Sequence, residues 1–188
     1  MDPVTLRTTR FVLSPPRADD VDAVYAACQD TELQRFTTVP VPYERDHAEG
    51  FVLELAPQWW RDDIEYVFGI RPAEGAPLIG VVSWQRERGF IGYWLATEHR
   101  GNGVMTESVR AVIQWIFSHD EIALVKWECH AGNRGSAVVA QRAGFRWRGE
   151  GECAVVDRDG THPWGWLGEL RRHEFGTVQA RSEWPVLQ

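Results

Sequence analysis

Gly92-Tyr93-Trp94-Leu95-Ala96-Thr97-Glu98-His99-Arg100-Gly101-Asn102-Gly103-Val104-Met105-Thr106 is the stretch on which the fold turns. It reads as a buried strand, a short turn, a glycine-rich loop and the opening of a helix. That order suits phosphate. Glycines let a backbone approach a ligand closely, and the first N–H groups of a helix point together at one spot. The helix dipole adds partial positive charge there, and Arg100 adds a full one. The stretch is not a P-loop, since no GKS or GKT follows. It is not a dinucleotide fingerprint either, since the third glycine is missing and a hairpin meander precedes it. Taken alone, it also reads as an ordinary turn from strand to helix.

Outward from this stretch the periodicities are clear. Upstream, Glu65–Arg71 alternates around Tyr66, Phe68 and Ile70, Leu78–Trp84 is apolar on both faces, and Phe90–Leu95 completes a three-stranded meander. Further upstream, Phe11-Val12-Leu13 is a short strand stopped by Pro15-Pro16. Ala18–Gln29 carries Val21, Val24, Tyr25 and Cys28 on one helical face, opened by Asp19 and Asp20. Asp30–Phe36 predicts a further helical piece and Thr37–Tyr43 an extended loop. Glu44–Leu55 predicts a helix reaching Trp59-Trp60, with Pro57 as a break or kink. Downstream, a helix from Gly103 to about Ser118 buries Val104, Val109, Val112, Ile113, Ile116 and Phe117. Strand Ile122–His130, helix Asn133–Ala143 with Gly144 as a left-handed cap, strand Phe145–Asp157, a turn at Asp159-Gly160 and strand Trp164–Arg172 follow. The pattern is α/β (α+β): a mixed, mostly antiparallel sheet of about seven strands flanked by helices.

The 188 residues carry no repeats and no linker, so a single domain is expected over 1–188, with a core over about 5–175 and a loosely ordered tail over 176–188. A composition of 44% hydrophobic and 25% charged residues is that of a soluble globular protein. The net charge of −7 argues against nucleic-acid binding and favours a cationic or amine substrate. Cys28, Cys129 and Cys153 are too widely spaced, and odd in number, for a disulfide framework or a zinc site, so no metal is expected and a reduced cytoplasmic setting fits. Met1–Arg10 lacks the apolar run of a signal peptide, and no run is long enough to span a membrane.

A second constellation lies one strand beyond the glycine loop: Asn133-Arg134-Gly135-Ser136, ending at Gly144-Phe145. An Asn between strand and helix is commonly an N-cap. Together, however, strand, Arg-Gly-x-Gly, helix, strand, Asn-x-x-Ser, helix, Gly-Phe, strand resembles the GNAT acetyltransferase superfamily, and most closely its RimJ/RimL-like branch of N-acetyltransferases. The segment Leu6–Pro15 looks like that branch's opening strand, so the resemblance spans nearly the whole chain.

The resemblance implies a GNAT fold, acetyl-CoA as cosubstrate, and direct attack in a ternary complex with no acyl-enzyme. In the family the phosphate loop reads Arg or Gln, two residues, Gly, one residue, Gly or Ala. Arg100 and Gly103 match, and Met105 stands where Gly or Ala is usual. The implied pyrophosphate contacts are the amides of Arg100, Gly101, Asn102, Gly103, Val104, Met105 and Thr106, with the Met105 side chain turned away. Trp94 and Leu95 lie on the strand that pairs with the pantetheine arm and splays from the one ending at His130, leaving the thioester in the gap. Asn133 is implied as a contact to that arm. The tyrosine found in several branches seven residues after this Asn is replaced by Ala140. Ser136 matches a serine near the thiol and is the implied donor to sulfur; its plainer reading is a solvent-side helix serine.

For the proton acceptor, alternation places Lys126, Glu128 and His130 on one strand face and Val125, Trp127 and Cys129 on the other. Glu128, His130 and, on the last strand, Glu169 are the candidates; each also reads as a structural ion pair or surface group. His99 flanks the loop, and Cys129 reads as a small buried apolar residue. Phe36–Tyr43, Trp59-Trp60 and His162–Trp166 are the expected acceptor wall, for a small-molecule amine or a protein N-terminus, with core packing and a homodimer patch as the alternative. Two other readings stay open: a CoA-binding regulatory module without catalysis, and an acyltransferase that uses another donor such as succinyl-CoA.

Overall fold

The computed structural model describes residues 1–177 and 183–188. Its sheet has eight strands: β1 (Leu6–Arg7), β2 (Val12–Ser14), β3 (Glu65–Arg71), β4 (Gly80–Gln85), β5 (Phe90–Leu95), β6 (Leu124–His130), β7 (Arg146–Glu152) and β8 (Trp164–Arg171), in the order β1-β2-β3-β4-β5-β6-β8-β7. The eighth strand beyond the expected seven comes from the opening segment. Thr8 accepts the N–H groups of Arg10 and Phe11 on its hydroxyl, which turns the chain back so that Leu6 pairs with Leu13.

Every neighbouring pair is antiparallel except β5 and β6, which run parallel and pair only where Phe90 faces Lys126. Beyond that point they diverge. The edge of β5 from Ile91 to Leu95 keeps β4 on one side and loses its ladder partner on the other. This splay is the feature on which the site depends.

Helices α5 (Val104–His119) and α6 (Arg134–Ala143) cover one face of the sheet. Val109, Val112, Ile113 and Ile116 of α5 are fully buried there, against Phe68, Val82 and Val125. The other face is covered by α1 (Val21–Ala27), α2 (Thr31–Phe36) and α3 (Arg45–Glu49), whose Val24, Leu33 and Ala48 pack with Val67 and Val81. Strand alternation separates the two cores, so Val67 and Val81 face one layer while Phe68 and Val82 face the other.

The run from α3 to α4 (Ala56–Arg61) is continuous through a π-helical segment, Gly50–Leu55. Pro57 therefore does not break it. Proline is tolerated in the first turn of a helix, and the wider turn ahead of it takes up the missing N–H. Gly144 ends α6 in the left-handed region at φ 110°, as its position predicts.

A buried ion pair ties the helical layer to the sheet. Arg71 at the end of β3 grips both carboxylate oxygens of Asp20 at 2.6 Å, and both residues are at most 1% exposed. The amides of Arg17 and Leu78 also donate to Asp20. Burial alone would raise this carboxyl, but the hydrogen bonds from Arg71 and the two amides outweigh it and hold it below the usual range.

Part of the tail is firmly placed. Residues 178–182 lie outside the described residues, but Trp184 is 1% exposed, packed between Trp127 and Trp147 with ring centroids 5.4 Å away in each case. The expected looseness therefore does not hold at its end. A tryptophan burying its ring outweighs the conformational freedom of the few residues that carry it.

Candidate active site

Two cavities flank the splay and meet at Phe36, Thr37, Tyr93, Trp94, Asn133 and Ser136, which line both. The first, about 600 Å³, runs along the glycine loop and the start of α6. The second, about 630 Å³, lies between the sheet and the layer of α1, α3 and the π-helical segment.

The first cavity contains nearly all the residues expected on the donor side: Trp94, Leu95, Arg100, Gly101, Gly103, Val104, Met105, Thr106, Asn133 and Ser136. Asn102 is at the exposed tip of the loop. Its carbonyl accepts from Arg10, whose guanidinium also pairs with Glu107 at 2.7 Å and lies over Gly103. Gly101 and Gly103 adopt φ 81° and 74°, a region costly for any residue with a Cβ. Gly103 opens α5 with no side-chain cap, so the first amides of a sixteen-residue helix remain free for an anion. Met105 is 5% exposed and packs in the core, while it also borders this cavity.

Arg100 does not stand free at the loop. Its guanidinium donates to the Leu95 carbonyl at 3.0 Å and pairs with Asp30 at 3.2 Å and Glu32 at 3.4 Å. Asp30 also caps α2 by accepting from the Leu33 amide, and it accepts from Thr97. Burial would raise the Asp30 carboxyl, but these donors together hold it low. The expected charge is present, and the structure uses it to clamp α2 against the loop. Arg134 and Arg142 on α6 line the same cavity.

At the junction of the cavities, Asn133 caps α6 by accepting from the Ser136 amide at 3.0 Å. That places Ser136 in the first turn. Its hydroxyl accepts from the Trp127 indole at 3.3 Å and donates to the Tyr93 phenol at 3.1 Å, and that phenol donates to the Ser136 carbonyl at 2.8 Å. Burial pushes the Tyr93 phenol well above its usual range, so it stays a neutral donor. Ser136 is thus fixed by groups from three elements and faces the gap rather than bulk solvent. Tyr93 lies within the deciding stretch, and its role is not legible there. Its one signal was that a buried tyrosine needs a partner for its hydroxyl, and nothing local pointed to Ser136.

The three candidates for proton acceptor separate. His130 and Glu128 line the second cavity. Both Glu128 oxygens are taken, by the amides of Ala154 at 2.9 Å and Val155 at 2.7 Å, so this carboxylate anchors the loop after β7. Glu169 lines neither cavity and is ion-paired with Arg148 and Arg171. His99 contacts Glu98 at 3.8 Å. Burial raises the Cys129 thiol above its usual range, and it donates to the Asn133 carbonyl, so it is a poor nucleophile.

The acceptor-side wall holds Phe36, Thr37, Thr38, Val39, Pro40, Tyr43 and Trp59, as expected. Trp60 and His162–Trp166 do not join it. Trp60 is 1% exposed between Tyr66, Phe68 and Trp115, and Trp166 packs edge-on against Trp147. Gly50, Phe51 and Leu55 of the π-helical segment take their place.

Among the described residues, no group of three or more His, Cys, Asp or Glu could hold a metal ion, and no helix is long and apolar enough to cross a membrane.

Known proteins are similar to this chain in sequence or in fold. Probable N-acetyltransferase YjcK of Bacillus subtilis is 41% identical over 93 residues, 46% of this chain and 51% of that protein. The ribosomal-protein-serine acetyltransferase of Escherichia coli is 34% identical over 73 residues, 36% of this chain and 41% of that protein. The chain spans about half the length of the curated relatives it matches. RimL, a ribosomal L7/L12 alpha-N-protein acetyltransferase solved in complex with coenzyme A, has the same fold, with a TM-score of 0.76 at 19% identity over 89% of this chain and 98% of that one. The acetyltransferase (GNAT) domain model matches residues 10–146, from the arginine over the glycine loop to the start of β7, and the chain belongs to that family.

Proposed function

We propose that the protein is an N-acetyltransferase that uses acetyl-CoA and acetylates a primary amine, either a protein N-terminus or a small molecule. The observation that carries this reading is the meeting of two unlike cavities at Ser136 and Tyr93, where the parallel strands β5 and β6 part. The residues present fit coenzyme A. Free amides at Gly103–Thr106 suit a pyrophosphate, Arg134 and Arg142 suit further phosphate charge, and the unpaired edge of β5 suits the amides of a pantetheine arm. When bound, acetyl-CoA supplies the activated thioester.

The chain's own residues then have three tasks. The β5 edge and the start of α6 hold the donor in the gap. Ser136, its oxygen held by the Trp127 indole, swings its one hydroxyl proton from the Tyr93 phenol to the departing sulfur as charge develops there. His130 takes the proton of the attacking amine, directly or through water. An imidazole is the side chain that does this near neutral pH, and the rival Glu128 is committed to two amides. The names of the Escherichia coli relative and of RimL support a protein N-terminus as one acceptor.

Thiol release from acetyl-CoA, measured against a panel of amines that includes an N-terminal serine peptide, tests the reading. Ser136→Ala is expected to lower kcat about 10- to 100-fold while CoA affinity stays within about twofold, as for a donor aimed at a developing charge. Equal turnover would remove Ser136 from the mechanism. Tight CoA binding with no thiol release on any amine would favour the regulatory module instead.

A further inference from the structure

The charged residues that line the acceptor cavity are Asp46, Glu65 and Glu128, with His47 and His130, and no Lys or Arg is among them. Asp46 and His47 are exposed on α3, and the His47 ring accepts from the Glu44 amide. Glu128 is committed to its two amides. Glu65, the first residue of β3, differs from these. It is partly buried, and its carboxylate has the Ser83 hydroxyl as hydrogen-bonding partner and feels the Arg88 charge. Burial raises its carboxyl against both influences, the mark of an anion short of compensation.

Its place in the sheet decides what it can touch. Glu65 pairs with Gln85, Gln85 with Phe90, and Phe90 with Lys126, so Glu65 sits on the row where the splay is still closed. Gly92, just before Tyr93, is two strands across and two residues along from it. At about 4.8 Å per strand and about 3.3 Å per residue, their backbones are about 12 Å apart. The Glu65 side chain cannot span that distance to an amine attacking beside Ser136. Between the two ends the cavity floor is apolar, with Val67, Val81 and Trp94 on the same sheet face.

We propose that the acceptor carries a second cationic group, an ammonium or guanidinium, joined to the reacting amine by an apolar linker, and that Glu65 with Ser83 and Gln85 holds this second group at the closed end of the cavity. The proposal rests on the transferase reading and names the substrate class for the same site.

The test uses α,ω-diamines of three to eight carbons beside n-alkylamines of matching length. Diamines long enough to span the cavity are expected to show a KM at least tenfold below that of the matching alkylamine. Glu65→Gln is expected to reduce the diamine-to-alkylamine ratio of kcat/KM at least tenfold, with kcat for diamines little altered, and Glu65→Asp to give an intermediate ratio. An equal loss of kcat on both series would make Glu65 part of a proton path and overturn the proposal, as would an unchanged ratio. Should Glu65→Gln not fold by circular dichroism, Ser83→Ala and Glu65→Asp carry the same ratio test.

Calorimetry separates the two readings. Glu65-dependent binding of a diamine to the CoA-loaded protein without thiol release would keep the cation site and sink the transferase. Thiol release with equal KM for both series would keep the transferase and sink the cation site.

Discussion

The donor and acceptor cavities are nearly equal in size, about 600 and 630 Å³, and share six residues, yet they are opposite in charge and in construction. Arg100, Arg134 and Arg142 line the first against a single carboxylate, Glu32, whereas three carboxylates and no basic side chain other than histidine line the second. The donor side is built largely from backbone. Left-handed glycines, a bare helix start and a strand edge come from one short stretch and the turn before α6. The acceptor side is built from side chains that range from Val24 to Val155. A backbone site depends on local conformation and withstands change around it. A side-chain site depends on the relative placement of several helices, and so on whatever fixes those helices to the sheet.

The largest expected effect is on that placement. Arg71→Met would leave Asp20 buried without its partner, at a cost of about 3–5 kcal/mol measured by urea unfolding. The loss should fall on the acceptor side first. Amine KM should rise at temperatures where CoA affinity in calorimetry is still intact, and parallel losses of both would show that the two sides are not independent.

Next in size is Gly103→Glu, which sets a carboxylate and a Cβ at φ 74° against the phosphate site. CoA affinity should fall at least 100-fold, about 2.7 kcal/mol, in a protein that remains folded by circular dichroism. Unchanged affinity would break the backbone account of the donor side.

At the junction, Tyr93→Phe removes the phenol that orients Ser136 from β5. A decrease of about tenfold in kcat is expected, with CoA affinity and amine KM within about twofold, as befits a residue that belongs to neither cavity alone.

The smallest effect is one of pH. Asp20 is held below its usual 3.8, so the stability it contributes is complete above that value and is lost as pH falls through the lower folded value. Acid unfolding of Asp20→Asn, followed by fluorescence below about pH 4, should be shallower than that of the native chain.

The donor side was legible in sequence because its information is local. The spacing of Arg100 and Gly103, the position of Asn133 three residues before Ser136, and Gly144 as a cap each express a backbone requirement that a residue type meets directly. Strands Glu65–Arg71 and Phe90–Leu95 were readable for the same reason. The clamp that Arg100 forms on α2 was not legible, since its partners Asp30 and Glu32 lie about seventy residues away. The roles of Glu65, Tyr93 and Trp184 are not legible in sequence because nothing near them in the chain says what they meet. The exchange of Trp60 and His162–Trp166 for the π-helical segment in the acceptor wall has the same origin, since which face a tryptophan presents is settled by packing.

Sequence by itself therefore determined the family, the sheet of alternating strands, and the loop with its free amides, because hydrophobic period, glycine conformation and helix capping act over a few residues. Only the tertiary structure decided that Ser136 meets Tyr93 and Trp127, that Glu128 meets two amides while Glu65 meets the Ser83 hydroxyl, and that the two adjoining cavities differ in their charged residues. Those facts depend on where β5 and β6 part, and the departure of two strands from each other is a property of the whole packed sheet.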